Sequence, residues 1–223
     1  MQYSALLNFL KSVANSVVFW YNVKVNDYSR KDVVEIKVFD FDNTIYRGES
    51  SVDFAFYMLR HNKRILLFLP SLFWNAIMYK LCLASKETLE KRINDAIKFI
   101  VRDKSELISL TDSFWERNRR KLDRRLLRRI GKDDLIITAG PFFLIDAIKH
   151  RLNTQNLICS EVDWDKMEVS FFNFGDNKVK RYRELYGDKP IDCFYTDSYN
   201  DRSMMDISDR VFIVKDGRIK SIK

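Results

Sequence analysis

Two rhythms of apolar residues run along the chain. Short runs at residues 33–39, 135–138, 157–159, 191–196 and 211–214 are β-branched or aromatic and apolar almost throughout, the pattern of strands buried on both faces. Elsewhere apolar positions recur every three or four residues, the spacing of helices with one buried stripe. Residues 3–21 put Leu6, Leu7, Leu10, Val13, Val17 and Trp20 on such a stripe, with Lys11 as the one charge, and polar residues 26–32 lead from it to the first strand. After that strand no strand pattern appears for about ninety residues. Ser50 or Ser51 caps a helix to about His61, a second covers 64–83, Ser85 caps a third to about 102, and a fourth runs from Ser105 past Trp115 to Lys121. Strands and helices then alternate, with helices expected over 142–150 and 178–186. Residues 164–174 alternate as a small antiparallel excursion, and Asp216-Gly217 turns the chain into a closing hairpin.

Strand–helix alternation implies a parallel sheet covered on both faces, here with a helical insertion after its first strand. Only 6 Gly and 3 Pro in 223 residues agree with long helices and argue against a turn-rich β protein. A net charge of +8 favours an anionic partner: a phosphate compound, an anionic membrane or nucleic acid. Cys82, Cys159 and Cys193 are scattered with no Cys-x-x-Cys pair, which reads as reduced packing residues in a cytosolic chain. The N-terminus lacks the basic start and cleavage site of a signal peptide.

The chemistry-bearing residues fall at strand ends, where open α/β sheets place ligands. Asp40 and Asp42 leave the first strand two residues apart, so they start on one side with Phe41 turned away. Two carboxylates this close need a cation between them, or one of them keeps a proton. The second strand ends at Thr138, whose hydroxyl can hold phosphate oxygens together with the N–H groups of Ala139 and Gly140. Lys178 opens a helix and supplies a compact positive charge. Past the fourth strand stands Asp197-Ser198-Tyr199-Asn200-Asp201.

This ordered set, Asp-x-Asp-x-Thr at 40–44, Thr138, Lys178 and Asp-x-x-x-Asp at 197–201, resembles the haloacid dehalogenase superfamily of phosphatases. Within it, Phe39 to Glu49, Thr138-Ala139-Gly140-Pro141 and Asn173 to Val179 look like the branch containing phosphoserine phosphatase (subfamily IB), and the apolar insertion looks more like its phosphatidylglycerophosphatase-type members. The family usually carries Ser where Thr138 stands, and often Gly where Thr196 stands. The resemblance implies an α/β Rossmann-like core with a parallel sheet over residues 31–48 and 119–223. An all-helical cap would cover 49–118, inserted after the first motif, with residues 1–30 as an N-terminal amphipathic helix and linker. It implies Asp40 as nucleophile, forming an aspartyl-phosphate, and Asp42 as general acid and then general base. Phe41, Thr138, Ala139 and Lys178 would hold the phosphate. Asp40, the Asp42 carbonyl and Asp197 would bind Mg2+, while Asp201, with Asn200 beside it, would orient Lys178 or metal-bound water. Glu49 is either a substrate-reading acid, as in the serine-phosphate enzymes, or a helix-start charge.

The insertion and its flank shape the substrate expectation. Residues 65–83 are the most apolar run, but Pro70, Ser71, Asn75 and Lys80 interrupt it, so it reads as a buried or membrane-touching helix and not as a span. Phe73, Trp74 and Tyr79 read as core of the insertion before a lipid slot. From Arg117 to Arg129 eight basic residues meet one acid, Asp123, either a solvated helix face and hinge or an attraction to anionic headgroups. No RNA-binding motif favours nucleic acid. The expectation is a cytoplasmic Mg2+-dependent phosphomonoesterase, peripheral at the inner membrane face if the cap touches lipid. Its substrate is a lipid-linked or amphiphilic phosphate; the alternatives are a phosphoserine-like small-metabolite phosphatase, a phosphotransferase, or a basic membrane- or RNA-binding protein without activity.

Overall fold

The computed structural model describes residues 36–61 and 104–223, with Pro70, Trp74, Asn75, Ile77, Met78, Thr88, Lys91, Asn94 and Asp95 between them. The helix expected over 3–21, the linker after it, and most of the helices expected over 64–83 and 85–102 lie outside the described residues. Strand β1 (Ile36–Phe39) is followed by helices α1 (Ser50–His61), α2 (Lys104–Asn118) and α3 (Arg124–Leu127). Then come β2 (Leu135–Pro141), α4 (Phe142–Asp146), β3 (Asn156–Asp163), β4 (Glu168–Phe171) and α5 (Asp176–Tyr186). The chain closes with β5 (Ile191–Thr196), α6 (Arg202–Asp206), β6 (Ser208–Lys215) and β7 (Arg218–Ser221).

The seven strands form one sheet in the order β4-β3-β2-β1-β5-β6-β7. The five inner strands pair in parallel, while β4 and β7 add antiparallel edges, so the sheet is mixed but mostly parallel. Both edges sit where residues 164–174 and the Asp216-Gly217 turn led us to expect them. Asp216 (φ 49°) and Gly217 (φ 70°) both take the left-handed conformation that a two-residue hairpin of this twist requires. Because β1 lies between β2 and β5, the chain reverses its direction of travel across the sheet beside β1. Ligands bind at such a reversal, beyond the carboxyl ends of the strands.

Side chains alternate along the inner strands and fill two cores. Ile36, Val38, Leu135, Ile137, Ile191 and Phe194 meet Tyr182 of α5 and Met204 and Met205 of α6 on one face. Phe39, Ile136, Cys193 and Tyr195 meet Phe114 and Trp115 of α2 and Leu144 and Ile145 of α4 on the other. Period-two alternation with apolar residues at both phases is what makes these strands read as continuous apolar runs.

Three segments differ from the sequence-based expectation. The helix expected over 142–150 stops at Asp146, because the Ile148 and Arg151 N–H groups bond three residues back and tighten the chain into a 3-10 turn at Lys149–Arg151. The helix expected to reach Lys121 ends at Asn118; Arg119–Lys121 is a 3-10 turn and Leu122 is extended. That extension brings the chain alongside the loop after β1, where Arg47 N–H donates to Lys121 O (3.0 Å) and Asp123 N–H to Ile45 O (2.7 Å). Trp74, expected in the core of the insertion, is 62% exposed, while Phe73 and Tyr79 lie outside the described residues. Among the described residues no helix is long and apolar enough to cross a membrane.

Candidate active site

The loop after β1 is held by its own polar groups and by α2. Asp40 N–H donates to Tyr195 O (2.8 Å), extending the β1–β5 ladder by one residue. Phe41 then turns into the core, fully buried. Its ring stacks on Tyr46 (centroids 6.1 Å), and Trp115 stands edge-on to both at 6.1 and 5.5 Å. Trp115 is itself anchored, its Nε1–H donating to Leu144 O at 2.7 Å. Asn43 takes φ 55°, a left-handed turn that Asn tolerates better than most residues, and its N–H donates to Gly48 O (2.9 Å). The two acids thereby leave the strand on a braced turn.

Asp40 is 7% exposed and Lys178, in the first turn of α5, is 3% exposed. Lys178 Nζ donates to Asp40 Oδ1 at 2.8 Å and lies 2.7 Å from Asp201 Oδ1. Thr196 Oγ1 donates to Asp201 Oδ2 at 2.9 Å, and Thr44 Oγ1 approaches Asp40 Oδ2 at 3.5 Å. Burial raises the Asp40 carboxyl well above its ordinary pKa against the Lys178 ammonium, with Asp201 and Asp42 adding to the rise. Burial also disfavours the Lys178 ammonium, but the attraction of Asp40 and Asp201 outweighs it and raises its pKa. Among the described residues Asp42 has no cationic contact of this kind. Its Oδ1 accepts the Ser50 N–H at 2.7 Å, and burial pushes its carboxyl up to about 6 against that hydrogen bond. Burial raises Asp197 too, with Glu49 and Asp201 adding and Lys178 opposing.

Thr138 is 1% exposed at the end of β2, and its Oγ1 accepts the Gly140 N–H at 3.0 Å. That N–H, expected to face phosphate, is committed within the loop. Ala139 is partly buried, with its carbonyl accepting Ser160 Oγ–H at 2.8 Å. Asn200 is exposed on the 3-10 turn after β5, its N–H donated to Ser198 Oγ at 3.1 Å. Asp40, Lys178 and Asp201 are thus in direct contact, Asp42 and Asp197 act on them electrostatically, and the Asn200 side chain faces solvent.

Some positioning residues escaped the sequence reading. Asn173 is fully buried; its Nδ2 donates to Thr138 O (2.8 Å) and Ile158 O (3.1 Å), while its N–H donates to Ser160 Oγ (3.0 Å). It ties the end of β2 to the segment that leads into Lys178. Thr196, where the expected pattern has Gly, uses its hydroxyl to hold Asp201. A buried polar residue next to a motif was the available signal for both.

Among the described residues the acids outnumber their counter-charge: Asp40, Asp42, Asp197, Asp201 and the nearby Glu49 are set against the Lys178 ammonium. Burial raises the Asp40, Asp42 and Asp197 carboxyls, neighbouring acids add to the rise, and a divalent cation would offset both. Among the described residues no three His, Cys, Asp or Glu side chains form a ready cage. The set implied by the resemblance, Asp40, Asp197 and the Asp42 backbone carbonyl, would be a sparser group of hard oxygen donors. Mg2+ suits such a set, because it keeps several waters and takes substrate oxygens.

The family model for haloacid dehalogenase-like hydrolases matches residues 38–206. By sequence, none of the curated proteins matches the chain. Among solved structures, a protein of unknown function from Bordetella pertussis Tohama I is similar at 17% identity and TM-score 0.67, over 81% of this chain and 89% of that one. A phosphoserine phosphohydrolase-like protein from Francisella tularensis subsp. tularensis SCHU S4 is similar at 15% identity and TM-score 0.57, over 82% and 88%. A hydrolase of the same family from Salmonella enterica subsp. enterica serovar Typhi aligns at 14% identity and TM-score 0.53, over 78% and 60%.

Proposed function

The chain belongs to the haloacid dehalogenase-like hydrolases, as an enzyme of their phosphatase type, and from that premise we propose that it hydrolyses a small soluble phosphomonoester through an aspartyl-phosphate on Asp40, assisted by Mg2+. The observation that carries this reading is the unequal setting of two neighbouring acids. Asp40 is bonded to Lys178, whereas Asp42 takes a backbone N–H and sits at about 6, able to give and take a proton near neutrality. An Asp40 carboxylate oxygen attacks phosphorus, and the bond to the ester oxygen breaks as Asp42 delivers its proton to that oxygen. The deprotonated Asp42 then takes a proton from water, which attacks phosphorus and returns free Asp40 and inorganic phosphate. Lys178 neutralises the nucleophile and the equatorial phosphate oxygens, Asp201 holds Lys178, and the Thr138 hydroxyl stands at the phosphate. Mg2+ on Asp40, the Asp42 carbonyl and Asp197 would supply the positive charge that keeps Asp40 ionised despite burial.

A lipid-linked ester, expected from the insertion and the basic run, gains no support. Part of that run is engaged within the protein itself: Arg119 pairs with Glu116, Lys121 with Asp53, Arg125 shares Asp123 with Arg47, and Arg117 lies over the Tyr57 ring. The likeness to a phosphoserine phosphohydrolase-like protein fits the small-metabolite alternative instead. The test is Mg2+-dependent release of phosphate from para-nitrophenyl phosphate and a panel of soluble phosphoesters, with lipid phosphates in vesicles as a separate arm. Activity abolished by Asp40→Asn, and greater on soluble esters, is the expected result. Release that survives Asp40→Asn, or a preference for vesicles, overturns the proposal.

A further inference from the structure

Beside the catalytic acids a cavity of about 660 Å³ runs from Thr44 and Asp197 out to the β6–β7 hairpin. A volume of that order holds a small metabolite. Its inner end touches the machinery: Thr44 is the residue against Asp40 Oδ2, and Asp197 is a proposed Mg2+ ligand. Its outer end is lined by Arg47, Arg125 and Lys215.

The two arginines are tethered from behind. Asp123 is 3% exposed, yet its Oδ2 accepts both Arg47 Nη2 and Arg125 Nη2 at 3.2 Å, and its Oδ1 accepts the Arg125 N–H at 2.8 Å. One buried carboxylate thus serves two guanidiniums. Among the described residues no acceptor meets Arg47 Nη1 or Nε, or Arg125 Nη1, and the two side chains are 64% and 57% exposed. The hairpin completes the wall: Arg125 lies so close over Gly217 that a Cβ there would collide with its Nη2. A guanidinium pair fixed in advance, with free N–H groups facing an open cavity, suits a planar or tetrahedral anion and loses little entropy on binding it. Of the carboxylates that also line the cavity, Asp123 is already shared by the arginines and Asp197 would face the divalent cation, which leaves Asp216 against three cationic side chains.

We propose that this cavity is the subsite for a second anionic group of the substrate, a carboxylate or a further phosphate held by Arg47 and Arg125 with Lys215 at the rim. The inference rests on the phosphatase reading above and narrows its substrate to phosphomonoesters that carry another negative group. Phosphate sits at Asp40 and Lys178, the linking carbons pass Thr44 and Asp197, and the second anion meets the guanidiniums.

The test compares kcat/KM for 3-phosphoglycerate, which carries a carboxylate, and propane-1,3-diol bisphosphate with that for glycerol 3-phosphate, which has no second anion. The wild-type enzyme prefers the two bis-anionic esters by tenfold or more. In Arg47→Gln, and separately in Arg125→Gln, that preference ratio falls by about tenfold, the effect of one charge-assisted hydrogen-bonded pair. Thermal melting checks that each variant is folded, and Lys215→Gln, at an exposed hairpin position, supplies a third variant independent of Asp123. Hydrolysis of all three esters without preference, or a preference unchanged in the three variants, overturns the subsite and leaves the phosphatase reading standing. If none of the three is cleaved, release from para-nitrophenyl phosphate decides the phosphatase reading, and calorimetric binding of propane-1,3-bisphosphonate decides the subsite. Binding weakened about tenfold in Arg47→Gln keeps it; equal binding ends it.

Discussion

Replacing Lys178 by Met should expose the energetics of the site more directly than any activity assay. The side chain is 3% exposed and bonds two carboxylates at 2.8 and 2.7 Å, with Asp201 and Asp40 themselves 5% and 7% exposed. Removing one partner of a buried pair costs about 3–5 kcal/mol, because the other charge stays buried without compensation. Asp40 can escape part of that penalty by taking a proton, and Asp201 keeps the Thr196 hydroxyl, so we expect about 3 kcal/mol at pH 7 without metal. Lys178→Met should also be sensitive to pH. A carboxyl raised in the folded state costs stability above its unfolded pKa, and the cost grows until pH passes the folded value. Acidification from pH 7 to 5 should therefore shrink the deficit relative to wild type. Adding Asp201→Asn removes one stranded charge and should restore about 1–2 kcal/mol, a coupling expected of residues in contact. Urea unfolding in EDTA at both pH values measures all of this. Equal stability of the single and double variants would refute the claim that uncompensated charge is what Lys178 prevents.

Asp42→Asn should lower kcat on alkyl phosphates by about 10²–10⁴-fold, the worth of general acid–base catalysis, and much less on para-nitrophenyl phosphate in the first half-reaction, whose leaving group needs no proton. Comparing burst rates on the two esters checks it. Hydrogen bonds from Arg125 and Arg47 outweigh burial and hold Asp123 down at about 2. A depressed carboxyl contributes stability that is complete above its unfolded value near 4 and lost as pH falls through 2. Because the partner arginines are largely exposed, Asp123→Asn should cost about 1–2 kcal/mol at pH 7, and the gap to wild type should narrow in unfolding curves at pH 3. Gly217→Ala meets both a left-handed φ and the Arg125 guanidinium, so thermal unfolding should show a loss of about 1–2 kcal/mol.

The inner strands were legible because burial on both faces forces apolar residues at every position, a signal that needs no knowledge of neighbours. The antiparallel edges were legible for a local reason too, since Asp216-Gly217 prescribes its own turn. The chemistry at 40–44 and 197–201 could be read as ordered strand ends. Their contact through Lys178 was expected only from the family resemblance, because the residue pattern does not say how far α5 reaches towards β1. Asp123 shows the limit most clearly. Within a run of eight basic residues it looks like one more solvated charge, yet pairing with Ile45 and Arg47 from a distant loop draws it inside. The end of α2 was misjudged for the same reason: helical periodicity continues past Asn118, and a tertiary bridge to Tyr46 stops it. Thr196 and Asn173 stand in or beside the motifs, but what each hydrogen-bonds was visible only in the fold.

Lys178 reaches Asp40 across 138 positions of chain, and the strand that pairs along the other edge of β1 comes later still. Synthesis therefore completes the acidic loop after β1 long before Lys178, its partner in the folded protein, exists. A chain stalled ahead of α5 holds Asp40 without the ammonium that pairs with it in the finished fold. Contacts so distant in sequence also slow the final step of assembly.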